Sequence, residues 1–134
     1  MRLSDVMDQV AARLDTIAGL RVHAHPPGTV IPPAAVVSYP DAIEFDQTGA
    51  RGSDRLTLPV VLVVGKASLR SARDDLGSFV DGSGAKSIKA ILESGTYTAF
   101  HELRVVNASF DVVRLGGTDY IAALFDIDIF GSGS

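Results

Sequence analysis

Ile31-Pro32-Pro33-Ala34-Ala35-Val36-Val37 and Arg55-Leu56-Thr57-Leu58-Pro59-Val60-Val61-Leu62-Val63-Val64 are the two stretches whose reading decides the fold. Both are rich in β-branched and aliphatic residues. Between them lies a polar, glycine-bearing excursion from Asp41 to Asp54. Two β-rich runs joined by such a segment read as a hairpin with a protruding loop. A protruding loop on a small domain without a catalytic cluster points to a contact surface rather than an active site.

The second run alternates over its first half. Leu56, Leu58, Val60, Leu62 and Val64 share one face. Beyond Pro59 both faces are apolar, so cover on two sides is expected there. Pro59 predicts an edge position or a bulge, because it cannot donate to a ladder. The excursion holds Ile43 and Phe45 as its large apolar groups and reads as a mobile loop or a loosely paired extension.

Working outward, Leu3, Val6, Met7, Val10, Leu14 and Ile17 recur at three and four, so the spacing predicts a helix over 3–18. Ser4 is its expected cap, Asp5 and Asp8 suit its positive end, and Gly19 stops it. Arg21 to His25 reads as a short strand ended by Pro26-Pro27-Gly28. Helices are expected over 68–80 (stripe Leu69, Ala72, Leu76, Phe79) and 85–93 (Ile88, Ile91, Leu92). Two long strands follow. Leu103–Leu115 places Val106, Ala108, Phe110 and Val112 opposite Val105, Asn107, Ser109, Asp111 and Val113. Tyr120–Phe130 sets Ile121, Ala123, Phe125, Ile127 and Ile129 opposite Tyr120, Ala122, Leu124, Asp126 and Asp128. Gly116-Gly117 suits a hairpin turn between them. The expected order is α-β-β-β-α-α-β-β, an α+β fold with one mostly antiparallel sheet, the N-terminal helix and two middle helices packed on it. Residues 1–130 read as a single domain and 131–134 as a flexible Gly/Ser tail.

Size and composition bound the rest. The 134 residues suffice for one domain, with 46% hydrophobic and 21% charged residues. No apolar run approaches the roughly 18 residues of a membrane span. The acidic start is not that of a signal peptide, so cytosolic synthesis is expected. Without cysteine there is no disulfide, thiolate nucleophile, zinc–thiolate site or iron–sulfur cluster. Net charge is −4, and the twelve Lys and Arg are scattered, with Lys66, Arg70 and Arg73 the densest group. Specific nucleic-acid binding is disfavoured.

Candidate chemistry is sparse. His23 and His25 alternate on one strand face and, with His101, could hold a metal, but an exposed strand end is the favoured reading. Asp81-Gly82-Ser83-Gly84 before a helix has the look of a phosphate cradle. It lacks the Gly-Lys-Ser/Thr offset, Lys86 does not supply it, and a plain turn is favoured. No G-x-S-x-G elbow exists, as Gly77-Ser78 falls in a helix and Gly131-Ser132 in the tail. Asp126 and Asp128 share a strand face and suit either a solvated surface or a lining shared between subunits. Glu44, Phe45, Asp46, Arg51 and Arg55 form a candidate interface, because aromatics and arginine carry much of the energy at contacts. Phe45 either anchors a partner or folds back onto its own domain. Neither a catalytic residue nor a metal or cofactor-binding residue is assigned.

In order, these elements resemble the tail terminator (tail completion) proteins of long-tailed bacteriophages and prophages. The resemblance rests on the helix Leu3–Ile17, the segment Ile31-Pro32-Pro33-Ala34-Ala35-Val36-Val37, the charged loop and the strand Leu56–Val64. It continues through the helix Ser68–Asp81, the phrase Asp81-Gly82-Ser83-Gly84-Ala85-Lys86-Ser87-Ile88-Lys89-Ala90-Ile91-Leu92 and the final hairpin. It implies a non-enzymatic structural protein with no cofactor, forming a ring, typically a hexamer, that caps the tail tube and stops its polymerisation. It further implies three partners: other copies of the chain, the major tail tube protein and a head–tail connector. The place implied is the neck of a virion made in a bacterial cytoplasm, with no membrane. DNA would pass through without specific binding, and Asp126 with Asp128, or Asp74 with Asp75, would give an acidic lumen. The competing readings are another neck component, such as a head-completion or stopper protein, a metal- or ligand-binding α+β domain using the three histidines, and a hydrolase acting through Asp126 and Asp128.

Overall fold

The computed structural model describes residues 2–24, 31–40, 42–45, 54–115 and 117–131. The elements are α1 (Leu3–Leu14), β1 (Arg21–His23), β2 (Ala34–Val37), β3 (Ile43–Glu44), β4 (Asp54–Lys66), α2 (Arg70–Val80), α3 (Ile88–Glu93), β5 (Glu102–Leu115) and β6 (Thr118–Gly131). They form one mixed sheet with strand order β1-β2-β4-β6-β5, and β3 pairs with one end of β4. Only β1 and β2 run parallel among these pairs, and the α+β class and element order agree with expectation. The added element is β3, two residues of the polar excursion that pair with Leu56 and Arg55.

All three helices lie on one side of the sheet. Val6, Val10, Leu14, Ala72, Phe79, Ile88 and Leu92 join one core with Leu56, Leu58, Val60, Leu62 and the inward residues of β6. Each fully buried aliphatic chain of this size contributes about 1.5–3 kcal/mol relative to exposure. The anticipated faces of β4 and β6 hold, since Leu58 opposes Ile127 and Val60 opposes Phe125, all buried. Val63 is buried as well, so the far half of β4 has cover on its second face.

Pro59 sits in the central strand, yet it meets the edge condition locally. Ser38 N–H donates to Pro59 O at 2.9 Å, which turns the proline towards the side where β2 ends and β3 has not yet begun. Its missing N–H falls at that break. The irregularity in β4 is further on, between Val63 and Gly65.

Several boundaries move. Ser4 does not cap α1, whose cap position is Arg2 and has no side-chain bond. Gly19 does end the following turn, with φ +80°. The third helix begins at Ile88 rather than near 85 because Ser87 caps it, accepting from Ala90 N–H at 3.1 Å and donating to Asp81 O. Gly131, assigned to the tail, closes β6 opposite Asp54.

One face assignment is corrected. The β5–β6 register slips between Val105 and Asn107, so Val106 is an extra residue. A bulge of this kind reverses the alternation. Val105 therefore points inward with Ile127 and is buried, while Ala108, Phe110 and Val112 keep the helix side.

Candidate functional site

The side of the sheet away from the helices is read in cross-strand rows. Glu44, Arg55 and Phe130 form one row, Thr57, Asp128 and Arg104 the next, and Pro59, Asp126 and Asn107 the third. The alternation that buries Leu56 and Leu58 places Arg55, Thr57 and Pro59 here.

Arg55 ties the rows together. One guanidinium nitrogen donates to an Asp128 oxygen at 2.9 Å, and another reaches Glu44 at 3.4 Å. Thr57 Oγ1 donates to the second Asp128 oxygen at 2.9 Å. The guanidinium carbon stands 6.0 Å from the centre of the Phe130 ring, a cation–π distance. Its hydrogen bond and charge contact with Asp128 raise the Arg55 pKa above the ordinary arginine value. The guanidinium is thus a fixed cation between carboxylates.

Beside this network is an open groove of about 440 Å³ lined by Ala42, Glu44, Arg55, Leu56, Thr57, Pro59, Leu124 and Asp126. Leu124 in this lining is exposed, and Phe45, which follows Glu44 in the chain, is 72% exposed. Phe45 is therefore not folded back onto its own domain. The surface combines apolar groups, Leu124, Pro59 and the Phe130 ring, with a charged, hydrogen-bonded border, a composition suited to a protein contact.

The sites expected from sequence are redistributed. Glu44 and Arg55, expected on a loop, join Asp128 and Asp126, expected on a separate lining. Asp46 and Arg51 lie outside the described residues. Asp74 and Asp75 are on α2, in the helix layer, and so on the opposite side of the sheet from Asp126 and Asp128. Asp74 has Arg73 at 4.0 Å. The two acidic pairs cannot line the same surface of one subunit.

The three-histidine cluster is not formed. His23 is on β1 and His101 precedes β5, at opposite edges of the sheet, so strand spacing alone separates them by about 19 Å, and His23 lies in the row of Ser109, well along β5 from His101. His25 lies outside the described residues. Among the described residues no group of three His, Asp or Glu could hold a metal ion. At the Asp81-Gly-Ser-Gly segment, Ser87 fills the helix cap and Lys86 stands 5.9 Å from the Phe79 ring centre. No helix among the described residues is long and apolar enough to cross a membrane.

Sequence reasoning missed the clasp at the other end of the molecule. Gln9 Oε1 accepts from Thr98 N–H at 3.0 Å and Ala99 N–H at 3.1 Å, and Arg13 Nε donates to Ile91 O at 2.8 Å. Gln9 and Arg13 are one turn apart on the wet side of α1, and only that spacing hinted at a joint role.

No protein-family model and no curated protein matches this chain.

Proposed function

We propose that this protein is a non-enzymatic assembly protein of the tail-terminator type. Copies of it form a closed ring on the end of a phage tail tube, stop the tube growing and present the joining surface for the head. The observation that carries this reading is the open sheet face. Leu124 is exposed there beside the Glu44–Arg55–Asp128 network, and Phe45 is exposed immediately after Glu44 at the end of β3. Aromatic anchors within a polar border make a contact surface for protein. The order of elements on which the resemblance rests is the second support.

Its partners would be neighbouring copies, the tail tube protein and a head–tail connector. A net charge of −4 suits a ring through which DNA slides, because like charges repel. Arg55 neutralises Asp128, so Asp126 contributes more of the local negative field.

The test is to add the purified protein to polymerising tail tubes and image the ends. Capped tubes of limited length support the reading. The Phe45→Ala/Arg55→Ala double variant, folded by circular dichroism, should leave ends bare. If that variant caps normally, the open face is not the contact.

A further inference from the structure

The outer edge of β5 carries a different signal from the open face. β5 is a 14-residue strand at the end of the sheet. Its stretch past the bulge exposes Phe110 at 60% and Val112 at 55%, on the helix side, beyond Val105, whose N–H is bonded to Glu93 of α3. Strand edges are ordinarily blunted by lysine, proline, inward charge or a bulge, and the bulge of β5 lies at Val106, before the exposed stretch. Val105 to Val113 contains neither lysine nor proline. The Val112 N–H points away from β6 and in the single chain is taken by the Asp111 carboxylate beside it, at 2.8 Å, a local bond that pairing with another strand would replace. By the two-residue alternation, Phe110 also turns its N–H and C=O outward.

We infer that this edge pairs with the same edge of a second copy, antiparallel and centred on Phe110, joining two sheets into one. Length selects the occupant. The opposite edge, β1, has three residues, and β3 has two, so among the described strands at a free edge only another β5 matches. Chemistry selects the centre. About Phe110 the helix-side row sets Ala108 against Val112 and Phe110 against its own mate. On the other side Ser109 falls opposite Asp111, a hydroxyl donor facing a carboxylate acceptor. Such a contact is isologous, each subunit giving the same patch. It does not depend on the ring reading, which uses the open face.

The test uses sedimentation and directed crosslinking. Wild-type protein should sediment at twice the chain mass at high concentration, and Phe110→Lys should restore the single-chain mass. The chain has no cysteine. Ser109 and Asp111 of the two copies would form a non-hydrogen-bonded pair with Cα atoms about 4.5 Å apart, within disulfide reach. The S109C/D111C double variant should therefore oxidise to a covalent dimer, while S109C alone and D111C alone should not. A wild-type monomer at its solubility limit, a dimer that survives Phe110→Lys, or efficient dimerisation by S109C alone would each overturn the proposal. A closed ring gives a mass of many subunits, so the two readings fail on different signals.

Discussion

Arg55 and Asp128 meet at 2.9 Å across β4 and β6, although 73 positions separate them in the chain. The register sets Arg55 beside Phe130 and Thr57 beside Asp128, so the guanidinium reaches diagonally by one row. A partly exposed ion pair of this kind is worth little to stability, because water screens it. Its effect is to hold the charged border of the open face in one arrangement. Arg55→Ala is expected to leave the melting temperature almost unchanged and to weaken binding to the tube. Calorimetry and a tube pull-down check the two halves.

Glu93 fastens α3 to the sheet. Its carboxylate takes Lys89 Nζ at 2.6 Å and Val105 N–H at 3.0 Å, just where the β5 bulge begins. Partial burial pushes its pKa up, but Lys89 and the Val105 amide outweigh that and leave it below the usual 4.5. A carboxylate lowered in the folded state adds stability above pH 4.5, and that part is lost as the pH falls through the lowered value. Glu93→Ala should cost about 1–3 kcal/mol at neutral pH, since it leaves the Val105 amide unpaired. Melting curves for the two proteins should converge in acid.

Tyr97 gives the opposite sign. Burial pushes its phenol up to about 12, and its O–H donates to Leu92 O at 2.6 Å. The unfolded phenol ionises near 10.0, so stability held below that pH is lost as the pH rises towards about 12. Tyr97→Phe should lose about 1 kcal/mol and show a flatter alkaline limb in a pH series of urea melts.

Gly95 is required by that same tyrosine. A Cβ at Gly95 would stand 2.7 Å from the Tyr97 hydroxyl and 3.0 Å from Arg13 Nε. The ring cannot swing aside freely, because it stacks on Phe100 at 4.5 Å. Gly95→Ala should cost about 1–3 kcal/mol, as overpacking does. Adding Tyr97→Phe should recover part of that loss, measured as a double-mutant cycle.

Ile127 and Leu58 oppose each other at the centre of the core, both fully buried. Ile127→Ala should cost about 2–5 kcal/mol in chemical unfolding, the range for a truncated core aliphatic.

These contacts differ in how far they could be read from sequence. The strict alternation of Ile121, Ala123, Phe125, Ile127 and Ile129 identified the inward face of β6, because one buried face imposes period two. The stripe of α1 was legible for the same reason at period three to four. Val105 departs from its expected face because a bulge leaves no mark in composition, and one extra residue at Val106 breaks the alternation between Val105 and the correctly read Ala108, Phe110 and Val112. The start of α3 lies later than the stripe alone implies because Ser87 acts as its cap, bonded to Ala90 N–H and Asp81 O, and periodicity does not mark a cap. The Arg55–Asp128 pair was out of reach. Both residues were singled out, but their meeting depends on the β4–β6 register, which alternation alone does not set.

The most direct measurement is electron microscopy of tail tubes assembled with and without this protein. The account predicts a closed ring with a central hole on the tube end, and tubes that stop growing once it is seated. Bare ends and unchanged growth, with protein that is folded and in excess, would contradict it.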